Sequence, residues 1–599
     1  MLRRYMQLQS TLVPYMELRP FAALKEKLKE GYTVSDFKAD LMSGVIVGMV
    51  AIPLGMALAI ASGVAPQNGL YTVIIGGGLV ALLGGSRFQV TGPTAAFVVI
   101  LVPIVSKFGF AGLLTAGLLA GLILVILGVA KLGRFIQFIP YPVTTGFTAG
   151  IAVVIATIQL KDFFGLQMEH MPERYFGRVI GLFEAIGTFS PVEFTIGIIT
   201  LFFLIVWPRI NKKVPAPLVV LSVVTILAAL IKKYFPAIEI ATIGNRFTAE
   251  VNGSIIHGIP PVLPQFMLPW ENVRAPASSF TFNLETIEAL MPSAFAIAML
   301  GAIESLLSAV VADGMAQTRH DPDAELVALG VGNIVCPFFG GIPATGAIAR
   351  TATNIRFGAK SPFSAIIHAL FTLLVLLIFA PLVSYLPMAA LAALLMLVAY
   401  NMSEIKHFGH ILKVAPRSDV TVLLLCFGLT VIFDMVIGVT VGIVLAAILF
   451  MNRMATVTSG QKLIGTHHFK AKEPIPSQIM LYEISGPFFF GAAESAIAAL
   501  RGTTDSIKAV IFLMENVPAM DMTGLVAFES TVRDLKQWGT KAFVVGLRSQ
   551  PETVVNKSEL VLQKEIEIFA SLDEALRRAK GILGIKVEVG ASSAAPAKS

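Results

Sequence analysis

The same interruption occurs twice in the apolar sequence, at Gln89-Val-Thr-Gly-Pro-Thr-Ala-Ala-Phe97 and at Gly340-Gly-Ile-Pro-Ala-Thr-Gly-Ala-Ile-Ala-Arg350. In both segments Pro, Gly and Thr stand where an unbroken membrane-spanning helix would otherwise run. Irregular backbone is tolerated at membrane depth only where it is buried in protein or lines a cavity. A helix that begins there also leaves free N–H groups and the positive end of its dipole facing that cavity. Two such helix starts facing each other predict an anion site without a bound metal.

The interruptions belong to an internal repeat of the chain. Thr345 follows Thr94 by 251 positions, and Glu304 follows Leu54 by 250, so two separate features share nearly one offset. A shared offset indicates duplication, and an odd number of spans in each half makes the two repeats inverted in the membrane. The predicted repeats are residues 39–232 and 285–455.

The composition fits this membrane interpretation. Of 599 residues, 55% are apolar and 14% are charged, and the mean hydropathy is +0.79. Soluble domains are roughly 45–50% apolar and about 25% charged. A single core stops growing at ~250–300 residues, so it cannot hide this excess. The composition excludes an ordinary soluble enzyme, a disordered chain and a disulfide-built secreted module. The net charge of +7 lies mostly on residues that flank apolar runs, which indicates anchoring at the membrane surface and no nucleic-acid partner.

Segments long and apolar enough to cross a bilayer occur throughout the first three quarters of the chain. A spanning helix needs ~20 mostly apolar residues. Clear candidates are 41–62, 68–85, 110–130, 143–160, 191–207, 214–231, 286–312, 362–383, 385–400, 418–434 and 436–451, and shorter ones are 93–106, 325–339 and 344–356. About fourteen spans put both ends on one side, and the basic residues near both ends place that side in the cytoplasm. The sequence thus predicts an all-α polytopic domain at 39–455 behind a cytoplasmic arm at 1–38.

A soluble domain follows the last span. Residues 40–162 contain seven charged residues, whereas residues 459–580 contain 28. Short β-rich runs alternate there with helical runs, which predicts a small α/β domain at 474–580 and a frayed tail at 581–599. The expected strands are Ile479–Ile484, Ala509–Met514 and Lys541–Gly546, and the expected helices are Ala492–Arg501, Thr523–Trp538 and Ser571–Lys580.

The two helix starts give a set of candidate anion-binding residues. The expected backbone N–H donors are Thr94, Ala95 and Ala96 from one half and Gly346, Ala347 and Ile348 from the other. Arg350 lies just beyond the second break and could add a full positive charge. Leu54 occupies in the first repeat the place that Glu304 occupies in the second.

Glu304 is the only charged residue between Ala296 and Val311, at the centre of an apolar span. A lone carboxylate at mid-membrane costs several kcal/mol and is a functional candidate by default. Burial favours its neutral form, so Glu304 could exchange protons. Alternatively it stays ionised and binds Na⁺ together with Ser308, four residues on and on the same helix face. A third alternative is a purely structural ion pair with Arg350.

The sequence contains no arrangement typical of an enzyme. It has no phosphate-binding Walker loop, no nucleophile elbow and no His/Cys cluster at metal-ligand spacing. Cys336 and Cys426, the two cysteines, each lie in an apolar stretch. We therefore expect no enzymatic activity, no cofactor and no metal site.

One long motif resembles the signature of the SulP anion transporters: Pro53-Leu-Gly-Met-Ala-Leu-Ala-Ile-Ala-Ser-Gly-Val-Ala-Pro-Gln-Asn-Gly-Leu-Tyr71. Gly84-Gly-Ser-Arg87 and Thr91-Gly-Pro93 follow in the family's order. The soluble part resembles a STAS domain through Ile479–Pro487 and the loop Met520-Asp-Met-Thr-Gly-Leu525. Two further motifs, Ala298-Met-Leu-Gly-Ala-Ile-Glu-Ser-Leu-Leu307 and Asn401-Met-Ser-Glu404, are most similar to the DauA-type branch. That branch takes up four-carbon dicarboxylates such as succinate, fumarate and aspartate.

The resemblance implies a fourteen-span inverted repeat with core and gate subdomains, moving as an elevator in a homodimer of the bacterial inner (plasma) membrane. It places the anion between the two half-helices. In sodium-coupled bicarbonate relatives, an Asp and a Thr that bind the ion stand at the positions of Glu304 and Ser308. Here Glu replaces that Asp and Ile348 replaces a threonine, which favours protons over Na⁺.

The STAS resemblance also implies a regulatory position. In STAS relatives that are phosphorylated, the acceptor falls at the place of Thr523, after Asp521. We expect this domain to bind a cytoplasmic partner or to gate transport instead of being phosphorylated.

The sequence thus predicts proton-coupled uptake of small carboxylates. The alternatives are a sulfate or bicarbonate transporter coupled to protons or Na⁺, an anion exchanger or channel of the same family, and a membrane-held signalling scaffold.

Overall fold

The computed structural model describes residues 20–134, 139–168, 171–172, 174–211, 214–235, 238–251, 254–271, 281–433, 435–463, 475–489 and 506–584. The chain divides into two compact units, 1–443 and 444–599. The first half of the predicted arm at 1–38, the expected helix Ala492–Arg501 and most of the expected tail at 581–599 lie outside the described residues.

The first half of the membrane unit is a series of helices with one short strand. They are α1 (Ala22–Glu30), α2 (Val34–Ala61), α3 (Pro66–Tyr71), which continues through a wide π turn into α4 (Gly78–Leu83), β1 (Thr91–Gly92), α5 (Ala95–Val129), α6 (Tyr141–Phe163), α7 (Tyr175–Glu184), α8 (Pro191–Ile210) and α9 (Ala216–Tyr234). A short helix α10 (Ile243–Arg246) and a hairpin of β2 (Thr248–Val251) and β3 (Ser254–His257) follow. Gly109, with φ at 67°, kinks α5 into two spans.

The second half repeats this order. Its elements are α11 (Leu284–Ala316), α12 (Pro322–Val335), β4 (Thr345–Gly346), α13 (Ile348–Arg356), α14 (Phe363–Val383), α15 (Met388–Met402), α16 (Ile405–Val414), α17 (Arg417–Ile432) and α18 (Met435–Val457). The first long apolar helix of each half packs against a helix of the other half: α2 packs against α14, and α11 packs against α5. Eleven helices among the described residues are long and apolar enough to cross a membrane. The predicted polytopic helical fold is confirmed.

The start of α2 is fixed by its first residues and by the loop that leads into α14. Thr33 caps the helix, since its hydroxyl accepts from Asp36 N at 3.2 Å while Asp36 accepts from Thr33 N at 3.1 Å. Asp40 is fully buried and accepts from Lys360 N at 2.6 Å and from Tyr32 Oη at 2.8 Å. Burial and the neighbouring Asp40 carboxylate raise the pKa of Tyr32, so this hydroxyl remains a hydrogen-bond donor.

Helix α1 lies against the turn that joins α4 to β1. Phe21 N donates to Leu83 O at 3.0 Å, and Ala23 N donates to Gly84 O at 3.3 Å. The Arg87 guanidinium pairs with Glu30, with Nη1 2.7 Å from Oε2. The turn at residues 84–87 is thus held to α1 by backbone and side-chain contacts together.

The second unit is a five-stranded sheet with helices. Its strands are β5 (Ser459–Leu463), β6 (Ile479–Ser485), β7 (Ala509–Asn516), β8 (Lys541–Val545) and β9 (Ile566–Phe569), in that spatial order. Strand β5 is antiparallel to β6, and the other neighbours are parallel. The described helices are α19 (Met522–Gln537), α20 (Ser549–Val555), α21 (Glu559–Leu562) and α22 (Leu572–Ile582). The predicted α/β domain is confirmed.

The core of this unit follows the two-residue alternation of its strands. On β7, Phe512 belongs to one buried cluster with Tyr482 and Phe528, and its neighbour Ile511 belongs to another with Leu481. Successive side chains of a strand point to opposite faces, so both faces of the sheet are buried under helices.

Candidate anion site

Two short strands bring the halves of the membrane unit together. Strands β1 and β4 pair antiparallel, with Thr91 opposite Gly346 and Gly92 opposite Thr345. Ala347 N donates to Val90 O at 2.9 Å at one end of this crossing. Helices α5 and α13 begin directly after these strands, so the two predicted helix starts lie at one place in the membrane unit.

Both helix starts lack a side-chain cap. The N-cap residues are Thr94 for α5 and Ala347 for α13, and neither side chain bonds the first turn. The first N–H groups of a helix have no partner within the helix. The first-turn donors are Ala95, Ala96 and Phe97 in α5, and Ile348, Ala349 and Arg350 in α13.

This corrects the expected donor set in the second half. Ala347 N–H is bonded to Val90 O, and Gly346 lies in strand β4, so the free N–H groups begin at Ile348. The repeat assignment is also shifted. Thr345 is the first residue of β4, as Thr91 is of β1, so Thr91 and not Thr94 is its counterpart. The repeat read from the sequence matched Thr94 with Thr345 because both are threonines next to a helix break. The strands instead align Thr91–Gly92 with Thr345–Gly346.

Several of the predicted site residues are not fully packed. Leu54, Thr94, Glu304 and Ala347 are partly exposed, and Ile348 is 43% exposed. The residues Gln89, Thr91, Ser305 and Arg350 are buried. The crossing therefore has a packed polar interior, and the residues at the helix starts are more exposed than this interior.

Glu304 contacts the first helix start directly. Thr94 Oγ1 donates to Glu304 Oε2 at 2.9 Å. Ser308 does not join this contact. Its hydroxyl donates to Thr351 Oγ1 at 3.1 Å, and the same Thr351 oxygen accepts from Val90 N at 3.0 Å. Ser308 therefore supports the strand crossing, and the structure places it away from the carboxylate that it was expected to assist.

Arg350 is a buried cation that is only partly satisfied. The residue is 4% exposed, its Nη2 donates to Pro93 O at 2.5 Å, and its Nη1 has no partner among the described residues. No described carboxylate, Glu304 included, lies within ion-pair distance of it, so the structural ion pair with Glu304 is not formed. A Cβ on Gly92 would lie 2.6 Å from Nη1, so glycine leaves the room that this guanidinium occupies. A buried charge with no counter-charge in contact is costly, and an anion bound to this guanidinium would relieve that cost.

Sequence reasoning missed a second carboxylate beside the crossing, and this one is buried. Glu325 is 1% exposed, and its Oε1 accepts from Gln89 Nε2 at 2.7 Å. Gln89 Nε2 also donates to Ser305 Oγ at 2.5 Å. Glu325 was overlooked because it follows Asp321 and Asp323 and looks like an ordinary acidic first turn of a helix. Its lack of exposure shows only in the structure.

The expected regulatory residues lie at the start of α19. Asp521 is the N-cap, and its Oδ1 accepts from Gly524 N at 2.7 Å. Thr523 is exposed in the first turn. Within the part of the chain that the structure describes, no group of three or more His, Cys, Asp or Glu side chains could hold a metal ion.

Comparisons with known proteins agree with this architecture. The Sulfate permease family matches residues 37–426, and the STAS domain matches residues 471–575. The putative sulfate transporter YvdB of Bacillus subtilis is 42% identical over 89% of this chain and 95% of its own length. The bicarbonate transporter BicA of Picosynechococcus is 27% identical over 94% of this chain and 97% of its own.

A solved structure is also similar in fold. The structure of the murine Solute Carrier 26 family member A9 anion transporter in the inward-facing state has a TM-score of 0.77 and 18% identity, covering 94% of each chain. That likeness concerns the fold alone. With the family match, it leads to one conclusion: the chain belongs to the Sulfate permease family, carries a C-terminal STAS domain and is a multi-pass membrane protein that transports anions.

Proposed function

We propose that the protein takes up small organic anions by proton symport with an elevator-type movement, and that four-carbon dicarboxylates such as succinate, fumarate and aspartate are its substrates. The observation that carries the proposal is the 2.9 Å hydrogen bond from Thr94 to Glu304. A carboxylate that can gain or lose a proton touches the residue that begins an anion-facing helix. Proton and anion would then bind at neighbouring points, which is the arrangement that coupling requires.

The surroundings of Glu304 favour a proton over Na⁺. A bound Na⁺ needs several oxygen ligands, and Ser308, which was expected to supply one, donates its hydroxyl hydrogen to Thr351 and has no described hydrogen bond to Glu304. Thr94 is the one described hydrogen-bond partner of Glu304. A carboxylate with one donor and no cation within ion-pair distance is left with free lone pairs, and a proton satisfies it without further ligands.

The apolar residues at the site favour an organic substrate. Ile348, the first residue of α13, is 43% exposed, and Leu54, which the repeat assigns to the site, is partly exposed. Sulfate gains nothing from contact with these side chains. Burying each methylene of a dicarboxylate contributes about 0.8 kcal/mol. The unpartnered Nη1 of Arg350 could serve one carboxylate, and free first-turn N–H groups could serve the other.

Sulfate is the second candidate, and a separate observation favours it. The relative with 42% identity is named a putative sulfate transporter. Backbone N–H groups accept any small anion, so the helix starts are equally compatible with sulfate. Bicarbonate is a further alternative, since the relative with 27% identity is named a bicarbonate transporter.

The setting of the protein is part of the proposal. We infer a homodimer in the bacterial plasma membrane with both termini in the cytoplasm and no enzymatic activity. The STAS domain would bind a cytoplasmic partner or gate transport around Asp521 and Thr523.

The test is uptake of labelled succinate, sulfate and bicarbonate into proteoliposomes under imposed pH and Na⁺ gradients. We expect accumulation of succinate driven by the pH gradient and unaffected by Na⁺. Glu304→Gln keeps the shape of the side chain but cannot exchange a proton, so accumulation should be lost while the anion still binds. The matched control is Glu193→Gln. Glu193 is a buried carboxyl group that does not belong to the crossing, and it accepts a 2.7 Å hydrogen bond from Ala241 N. Unchanged pH-driven accumulation in Glu304→Gln would overturn the proton role, and uptake of sulfate without succinate would overturn the substrate assignment.

A further inference from the structure

Glu325 connects three parts of the membrane unit although it does not face the open site. It lies near the start of α12 and is buried. Its Oε2 accepts from Gly85 N at 2.9 Å and from Ser86 N at 3.0 Å, in the turn between α4 and β1. Its Oε1 accepts from Gln89 Nε2 at 2.7 Å. Three donors thus converge on one carboxylate, and all of them come from the segment that leads into strand β1.

Gln89 transmits this anchoring to the site. It lies two residues before β1, and its Nε2 donates both to Glu325 and to Ser305 Oγ, the residue next to Glu304 on α11. Its Oε1 is buried without a partner among the described residues. Only the amide nitrogen is therefore engaged, with both Glu325 Oε1 and Ser305 Oγ accepting from it. The side chain also packs over Gly346, where an added Cβ would lie 2.6 Å from Nε2.

We propose that Glu325 is a positioning residue for anion binding: by orienting Gln89, it fixes strand β1, strand β4 and α11 relative to one another, and so places the two helix starts and Glu304 at the correct separation. The inference rests on the proposed function only in requiring that an anion is carried, whichever anion that is.

A role of Glu325 in stability alone predicts a different kinetic effect of its loss from a role in positioning the site. The turn at residues 84–87 is held independently by α1, through Phe21 N to Leu83 O, Ala23 N to Gly84 O and the Arg87–Glu30 ion pair. Loss of Glu325 leaves Gly85 N and Ser86 N without that acceptor, but the turn stays attached to α1, so the effect that reaches the site passes through Gln89. A misplaced site binds its anion weakly and still moves it at saturation, so KM rises. A merely destabilised protein yields fewer active molecules, so the maximal rate falls while KM stays constant.

The hydrogen-bond chemistry permits an exchange of the two partners. Gln89→Glu alone sets two carboxylates against each other, so the contact is lost. With Glu325→Gln added, the new side-chain amide at position 325 can donate its NH₂ to the new carboxylate at position 89, while its carbonyl accepts from Gly85 and Ser86. The single variant Glu325→Gln should also be tolerated, since the Gln89 amide can turn over and accept with its unpartnered oxygen.

The experiment measures KM and maximal rate per reconstituted protein with labelled succinate, or with sulfate if the wild type takes up sulfate alone. We expect Glu325→Leu and Gln89→Glu each to raise KM at least tenfold, with maximal rates within threefold of the wild type. We expect Glu325→Gln and the exchanged pair to return KM to within threefold. Glu193→Gln, a buried carboxyl group away from the crossing, should leave KM unchanged.

Two results would overturn the positioning role: a fall in maximal rate at constant KM in Gln89→Glu, or a KM in the exchanged pair as high as in the single variant. Should Glu325→Leu not fold, the comparison of Gln89→Glu with the exchanged pair decides the question. Sulfate uptake without succinate uptake would remove the proposed substrate and leave this test intact.

Discussion

A single methyl group added at Gly346 should disturb the strand crossing in a measurable way. In Gly346→Ala the new Cβ would lie 2.6 Å from Gln89 Nε2 and 3.0 Å from Ser305 Cα. An ordinary contact is 3.4 Å or more, so the Gln89 amide must retreat by about 0.8 Å. That movement pulls it from both Glu325 and Ser305. A hydrogen bond to a charged group contributes about 1.5–3 kcal/mol and a neutral one about 0.5–1.5 kcal/mol, so we expect a loss of about 2–4 kcal/mol.

The free energy of unfolding, measured by SDS titration in mixed micelles, tests this value. The control is Gly78→Ala, whose Cβ would meet only Ala369 Cβ at 3.5 Å and which should be neutral or slightly stabilising. In a Gln89→Ala background only the 3.0 Å approach to Ser305 Cα remains, so Gly346→Ala should cost at least about 1 kcal/mol less than in the wild type. An equal cost in both backgrounds, or a Gly346→Ala protein as stable as Gly78→Ala, would show that the Gln89 amide does not hold the crossing.

Three further predictions concern other parts of the chain. The Arg87 guanidinium, hydrogen-bonded to Glu30, lowers the pKa of that carboxyl, so the attachment of α1 should persist above the ordinary carboxyl range and be lost as the pH falls below it. Hydrogen exchange of the α1 amides against pH checks this, and Glu30→Gln should reduce the dependence to the part that belongs to Glu26, whose Oε2 lies 3.4 Å from Arg87 Nη2. Asp521→Ala removes the cap on Gly524 N and should destabilise α19 by about 1 kcal/mol, seen as faster exchange in its first turn, whereas Asp521→Asn should retain the cap. Ile348→Thr removes apolar surface from the site and should lower the preference for succinate over sulfate about fourfold, measured by competitive uptake.

The sequence was sufficient for the architecture because the strongest signals were local. Proline and glycine at membrane depth predicted the two helix breaks, and the structure begins α5 and α13 there. Span positions agreed because length and hydropathy determine them. The two-residue strands β1 and β4 were not predictable, since two residues have no periodicity, and without them Thr94 was wrongly paired with Thr345.

The interior of the candidate site was less accessible to sequence reasoning. Glu304 was recognised because it is isolated among apolar residues, whereas its hydrogen bond with Thr94 was not predicted and shows only in the structure. Glu325 and Gln89 were not recognised, since their roles depend on contacts across 236 positions of the chain. In the second unit, β5 was missed because it is short and polar, and β9 was missed because its four residues are too few to show a clear alternation.

The antiparallel contact between residues 91–92 and 345–346 also constrains how the chain matures during synthesis. When the first repeat has entered the bilayer, the peptide groups of β1 have no strand to pair with until about 250 further residues have been made. Unpaired peptide groups are costly in hydrocarbon. Until β4 has been made, the peptide groups of β1 must therefore be shielded from lipid by the helices of the first half or by the insertion machinery. Truncated chains that end before β4 should be especially vulnerable to quality-control proteolysis, because they lack the segment that completes their interior.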